Sequence, residues 1–262
     1  MNPEQLHNSC KILFGKQWKT PFASYLGVKR ETVSKWANGV LPIPSYAKRV
    51  VTLLIGSQGP VLSLCDLTGN MVRPWSEAGF QCICVDIQHE GIRQEDNITY
   101  IGADLLTWLP PPRKYAIVFA FPECTNVAVS GARWFKDKGL GGLSEAVDLL
   151  EVCRRICEWS EAPWMIENPV STFSSYWRKP DYTFNPCDYG GYISPPGDAY
   201  TKKTCLWVGN GFIMPKKKPV EPIEGSKMHL LPPSENRANE RSETPEGFAL
   251  ATFEANVYRL MK

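Results

Sequence analysis

The chain has 262 residues, 43% of them hydrophobic and 21% charged, with a formal net charge of +2 at pH 7. That length accommodates one sizeable α/β domain plus a small extra module, and the composition excludes a disordered or low-complexity chain. So small a net charge excludes a nucleic-acid partner declared by bulk electrostatics. Any basic surface must come from local clusters such as Lys216-Lys217-Lys218 or Lys202-Lys203, and a triple lysine is ordinarily a solvated loop.

The nine cysteines are an odd, scattered set. Cys65, Cys82, Cys84, Cys153 and Cys157 lie inside apolar runs, where a free thiol acts as a small hydrophobe. No pair of CxxC units occurs, so no structural metal is expected. The opening MNPEQLHNSCKILFGKQ has no apolar core of a signal peptide, and no stretch reaches about 18 apolar residues. The expected compartment is a reducing cytoplasm, with no membrane partner.

In chain order, residues 1 to about 55 carry a helical pattern only. A first helix is predicted from Pro3 to Phe14, stopped by Gly15. Residues 20–39 place Phe22, Ala23, Leu26, Val28, Val33 and Trp36 as the inner positions of two short helices around Gly27. Glycine supplies the positive φ of that turn, and Ala23 lets the helices approach closely. Ala23, Gly27, Val33 and Trp36 fall at the spacing of a repressor-like helix-turn-helix, which the segment resembles. The resemblance implies a recognition helix beginning near Lys29, with Lys29, Arg30, Thr32, Ser34 and Lys35 meeting DNA. The alternative is a plain three- or four-helix bundle that contacts protein.

Gly56-Ser57-Gln58-Gly59-Pro60 is a composition break, dividing a helical module (1–55) from a second domain (61–262). Beyond it, strands alternate with helices. VLSLCDL (61–67), CICVDI (82–87), Tyr100-Ile101, YAIVFAF (115–121) and Trp164-Met165-Ile166 are predicted strands, with a helix over 143–159. Continuous β-branched runs of this kind predict an α/β fold, a mostly parallel, doubly wound sheet covered on both faces.

Ligands of open α/β sheets bind at the carboxyl ends of the strands. Three such ends carry acids: Asp66, Asp86 about twenty residues later, and Asp104. Asp86 is placed to bind two ribose hydroxyls, and Asp104 to accept from an adenine amino group. Strand-end aspartates also cap following helices, but the ordered trio points to a nucleoside cofactor. The turn lacks the GxGxxG spacing of dinucleotide folds. DLTGNMVRPWSEAGF instead resembles the first motif of S-adenosylmethionine-dependent methyltransferases, and in particular the cytosine-5 class.

The fourth strand runs into Phe121-Pro122-Glu123-Cys124-Thr125, so Cys124 sits at a strand end and not inside an apolar run. It is a candidate nucleophile. The next strand ends in Ile166-Glu167-Asn168-Pro169, one strand over. A thiol and a carboxyl at adjacent strand ends suit one reaction. Thiolate addition to C6 of cytosine makes C5 nucleophilic when an acid protonates N3, and Glu167 would be that acid, its pKa raised by burial. Tyr200 to Trp207 alternates as a half-buried strand, with Lys203 on the polar side facing the cytosine carbonyl or a phosphate. Thr244 and Pro245 are the predicted N-cap and first turn of a C-terminal helix.

DLTGN, the Pro-Glu-Cys loop, Glu167-Asn168, the Lys-Lys-Thr strand and Arg241-Ser242-Glu243-Thr244-Pro245 occur in the order of the DNA (cytosine-5) methyltransferases. The chain resembles the short phage-encoded members of that family across residues 61–262. The resemblance implies a DNA substrate, S-adenosylmethionine as cofactor, and catalysis by Cys124, Glu167 and Lys203. The implied cofactor contacts are Asp66, Leu67, Thr68, Gly69, Asp86, Asp104, Phe121 and Pro122. The sequence departs from the family twice. Glu123 stands where proline usually precedes the nucleophile, and a carboxylate there raises the thiol pKa unless it points away. Only residues 208–241 lie where a large target-recognition region is usual. Two other readings stay open: a DNA-binding regulator that keeps the fold without turnover, and an enzyme modifying C5 of free pyrimidine nucleotides.

Overall fold

The computed structural model describes residues 1–232, Ser234 and 237–257. Its centre is an eight-stranded sheet built from β1 (Val61–Leu64), β2 (Cys82–Asp86), β3 (Ile92–Glu95), β4 (Ile98–Gly102), β5 (Ile117–Ala120), β6 (Trp164–Pro169), β7 (Tyr182–Phe184) and β8 (Thr204–Gly209). The strand order is β3-β4-β2-β1-β5-β6-β8-β7. β4, β2, β1, β5 and β6 run parallel; β3, β8 and β7 pair antiparallel. The expected mostly parallel α/β sheet is therefore present, with antiparallel edges on both sides.

Alternation along the strands splits the core into two faces. Val61, Phe119, Met165 and Leu206 pack on one side with Trp75, Phe80 and Phe248. These last three come from α5 (Arg73–Glu77), the turn after it, and α10 (Glu246–Asn256). Leu62, Leu64, Val118, Ile166 and Trp207 pack on the other against Ala146, Leu150, Cys153 and Cys157 of α6 (Phe135–Trp159). Helices on both faces of a central parallel sheet satisfy the doubly wound expectation.

The amino-terminal helices are α1 (Pro3–Phe14), α2 (Lys19–Leu26), α3 (Arg30–Ala37) and α4 (Ser45–Gly56). α1 has the predicted bounds, capped by Asn2 and stopped at Gly15. Gly27 closes α2 at φ 68°, and its N–H donates to Ala23 and Ser24. Phe22, Ala23, Val33 and Trp36 are buried as expected. These helices do not stand apart from the sheet. Leu6, Cys10 and Ile12 belong to the same hydrophobic cluster as Trp75 and Ala78. The buried Ser9 hydroxyl donates to the Ala78 carbonyl at 2.9 Å. The junction at residues 56–60 is also anchored, because the Ala116 N–H donates to the Pro60 carbonyl at 2.9 Å.

Several bounds differ from expectation. The exposed strand β3 has no hydrophobic pattern to announce it; it pairs because β4 offers an open edge. The long helix starts at Phe135, eight residues before position 143, and is kinked at Gly139. β8 starts at Thr204, so Tyr200 and its neighbours are loop. The last helix is capped by Pro245 and starts at Glu246; Thr244 lies one residue outside. Among the described residues all nine cysteines are free, no group of acids, histidines and cysteines is arranged to hold a metal, and no helix is long and apolar enough to cross a membrane.

Gly59 tests how tight the junction is. Its φ is +87°, and an added Cβ would run into the Lys114 carbonyl. Gly59→Ala is expected to destabilise the fold by roughly 2–3 kcal/mol, combining positive φ and steric clash. Urea unfolding measures this, and wild-type stability would mean the junction is loose.

Candidate functional site

The chain leaves β1 toward β2 on one side and returns to β5 on the other, so the strand order reverses between β1 and β5. The carboxyl ends of these strands frame the crevice where such sheets bind ligands. At the end of β1, Asp66 is buried and organises the turn that follows. Its Oδ2 accepts from the Ser63 hydroxyl at 2.6 Å, and its Oδ1 accepts from the Gly69 N–H at 2.7 Å and Thr68 Oγ1 at 3.4 Å. Burial raises its pKa, and these hydrogen bonds oppose the rise. Asp66 is thus the clamp of the glycine turn. Leu67 and Thr68 are half-buried, and Gly69 lies under the Tyr100 hydroxyl, which an added Cβ would meet at 2.6 Å.

Asp86 ends β2 nearly buried; Oδ1 accepts the Gln88 N–H at 2.8 Å, which leaves Oδ2 for a ligand. Asp104 is exposed and caps its own turn, its Oδ1 accepting the Leu106 N–H at 2.9 Å. The structure therefore brings Asp66 and Asp86 together beneath the crevice and leaves Asp104 on the rim. His89, three residues past Asp86, joins them although no motif in the sequence marks it. Its Nε2 lies 3.1 Å from the Asp66 carbonyl and its ring packs edge-on to Tyr100. Only the β2–β4 pairing carries it there.

The second half of the crevice is formed by the ends of β5 and β6. The Phe121 N–H donates to the Leu64 carbonyl at 3.0 Å, which continues the β1–β5 pairing by one residue. Pro122 is buried, and its carbonyl accepts from Asn168 Nδ2 at 2.9 Å. That bond fastens the Pro-Glu-Cys loop to the end of β6. Cys124 and Glu167 lie near enough across it for the carboxylate to act on the thiol. The thiol is pushed up to about 11, by burial first, then by the Glu167 carboxylate, then by Glu123. Glu167 acts on the thiol more strongly than its covalent neighbour does. Solvent screens the exposed Glu123 more than the half-buried Glu167. Glu123 is exposed and turns one oxygen to the Thr125 N–H at 3.2 Å, yet it still opposes thiolate formation.

Burial also raises the pKa of Glu167, opposed by Lys202 and by a hydrogen bond from Thr204. Lys202 acts on the thiol as well, as does Arg241 of helix α9 (Arg237–Ser242), following α7 (Phe173–Tyr176) and α8 (Lys227–Leu230) in chain order. Lys203, the expected lysine, is exposed and acts on Cys205 instead. Leu206 pairs with Glu167 and Thr204 with Pro169, so these two side chains share the Glu167 face, and Lys202 approaches that face from the loop before β8. The alternation is legible in the sequence; its phase is not.

The expected DNA-facing residues lie on α3 and its N-cap Lys29. Lys29, Arg30 and Lys35 are exposed, Thr32 and Ser34 half-buried. Residues 1–56 hold eight lysines and arginines against Glu4 and Glu31, a net +6, so the remainder of the chain is −4. The +2 total conceals this asymmetry. Of the triple lysine, Lys217 pairs with Asp188 at 3.0 Å and Lys218 lies 3.8 Å over the Tyr192 ring, so two of the three are engaged by the protein.

The sequence matches no protein-family model and no curated protein. Among solved structures it is similar to the CcbJ methyltransferase from Streptomyces caelestis, with 14% identity and a TM-score of 0.27. The superposition covers 54% of this chain and 56% of that one. A likeness so loose carries no information about the site.

The Glu167 environment makes a stability prediction. A carboxyl whose folded pKa is raised favours the fold below its unfolded pKa, and that contribution is lost as pH rises through the folded value. Glu167→Gln is therefore expected to raise the thermal midpoint at pH 7.5 and to change it little near pH 4. Thermal scans at the two pH values measure this; a lower midpoint at pH 7.5 would contradict the buried-charge account.

Proposed function

We propose that the chain is an S-adenosylmethionine-dependent DNA cytosine-5 methyltransferase with Cys124 as nucleophile. The observation that carries this reading is the β5–β6 pairing, which brings a strand-end thiol and a half-buried carboxyl to neighbouring strand ends, with Lys202 acting on both and Arg241 on the thiol. Few reactions need that pair together. The clamped turn at Asp66, the free oxygen of Asp86 and the crevice at the strand-order reversal fit a nucleoside cofactor. Asp66, Leu67, Thr68 and Gly69 would line its amino-acid end, Asp86 its ribose, and Phe121 and Pro122 the wall toward the substrate. Asp104 stays a rim contact. The cofactor, when bound, supplies an electrophilic methyl on sulfur.

The chain's own residues perform the remaining steps. The Cys124 thiolate adds to C6 of an extruded cytosine, and the C5–C6 electron pair moves to C5 as N3 accepts the Glu167 proton. After C5 is methylated, its proton leaves to a base, the C5–C6 double bond re-forms as the C6–S bond breaks to return the thiolate, and N3 gives its proton back to Glu167. The raised pKa of Glu167 serves both partners. It keeps a proton available for N3, and a neutral Glu167 no longer opposes the thiolate. Lys202 and Arg241 favour the charged sulfur throughout. The +6 helical module supplies sequence-independent affinity for phosphates, with α3 as the contact helix.

A second reading is favoured by Glu123, whose charge opposes the thiolate. In it the chain binds DNA through the same module without turnover.

Tritiated cofactor and duplex DNA separate the two. Native protein is expected to place label in 5-methylcytosine, and Cys124→Ala to lose all transfer while still binding the cofactor. Methylation by the alanine variant would remove the nucleophile assignment. Replacing Lys29, Arg30 and Lys35 together with alanine is expected to weaken DNA binding. The slope of log K against log salt should fall by about 0.9 for each phosphate that the variant no longer neutralises. An unchanged slope would assign the helices to protein contacts. Salt-dependent DNA binding with no label from native protein would favour the second reading.

A further inference from the structure

Residues 87–91, which follow β2, are packed against the end of β4. Gly102 of β4 pairs with Asp86, and its N–H donates to the Gly91 carbonyl at 2.7 Å. A Cβ at position 102 would run into the His89 carbonyl, so the loop lies directly on this glycine. The Asp86 carbonyl accepts from the His89 and Ala103 N–H groups, each at 3.3 Å. The backbone of His89 is therefore fixed by β4, which lies on the far side of β2 from β1.

The side chain of His89 reaches back toward β1. It is half-buried between the exposed Gln88 and Glu90. Its ring packs edge-on to Tyr100 with centroids 5.1 Å apart, and the Arg93 guanidinium lies 4.2 Å from the centroid of that same tyrosine. Nε2 is 3.1 Å from the Asp66 carbonyl. A carbonyl only accepts, so Nε2 carries the proton and donates. No backbone N–H among the described residues donates to that carbonyl. The Asp66 carboxylate is already committed to Ser63, Thr68 and Gly69. Asp66 thus fastens the glycine turn with its side chain, and His89 fastens Asp66 to the loop that begins at Asp86.

We propose that His89 is a positioning residue that ties the glycine turn to the end of β2 and sets the separation of the two half-sites spanned by the cofactor. The inference rests on the S-adenosylmethionine reading above, in which residues 66–69 line the amino-acid end and Asp86 the ribose. A ligand that bridges two half-sites gains from their being held at the right separation beforehand, and loses that gain when the link is cut. A ligand that occupies the nucleoside half alone is indifferent to the link.

Calorimetric titration of the whole chain with S-adenosylhomocysteine, the cofactor without its methyl group, and with adenosine, its nucleoside half, tests the link. His89→Ala is expected to weaken S-adenosylhomocysteine about 10-fold, the order of one lost hydrogen bond, and adenosine by less than about 2-fold. His89→Gln, whose amide N–H can donate to the same carbonyl, should restore most of the S-adenosylhomocysteine affinity. Equal losses for the two ligands would make His89 a direct contact of the nucleoside and overturn the positioning role. An alanine variant with native affinity, or a glutamine variant as weak as the alanine one, overturns it as well. Native protein that does not bind S-adenosylhomocysteine overturns the cofactor reading, and the link falls with it.

Discussion

The parallel pairing of β5 with β6 sets where Cys124 and Glu167 stand. Val118, Phe119 and Ala120 align with Trp164, Met165 and Ile166, so β5 ends one residue before the level of Glu167, while β6 continues to Pro169. The loop carrying Cys124 leaves β5 beside the stretch of β6 that holds Glu167. The Asn168–Pro122 hydrogen bond then locks the loop to its neighbour. A register slip of one residue would turn Glu167 to the opposite face, and no sequence motif would compensate for it.

Burial sets the protonation of this pair, and it acts against the fold. The thiol and the carboxyl are both held in forms that resist ionisation. A site composed this way stores unfavourable solvation that the surrounding core must outweigh. The core is extensive, with Trp75, Phe119 and Phe248 under one face of the sheet and α6 over the other. Lys202 and Arg241 come from segments more than thirty residues apart in sequence; Lys202 relieves part of the burden on both groups, and Arg241 on the thiol.

The amino-terminal helices belong to this balance. They carry a net charge of +6 against −4 for the remainder, but their inner faces extend the cluster beneath α5, the helix that follows the Asp66 turn. Anything that grips α3 therefore pulls on an element joined to the glycine turn by a few residues. Charge and core are segregated on the same helices: Lys29, Arg30 and Lys35 face out, while Val33 and Trp36 face in.

Local chemistry was legible in the sequence because it is written in neighbouring residues. The α1 bounds, the Gly27 turn, the strand-end acids and the strand-end position of the Pro-Glu-Cys loop all follow from capping, backbone freedom and hydrophobic period. What the sequence could not determine was anything fixed by pairing across the sheet. The choice of Lys202 over Lys203 depends on which side of β8 faces Glu167, and antiparallel register decides that. The approach of His89 to Asp66 and of Arg241 to Cys124 depends on long-range packing. The exposed strand β3 has no apolar pattern and exists because a neighbour offered it an edge. Propensity and period act over a few residues, so they determine which elements form. Side-chain meeting points depend on how those elements are laid against one another, and only the folded chain settles that.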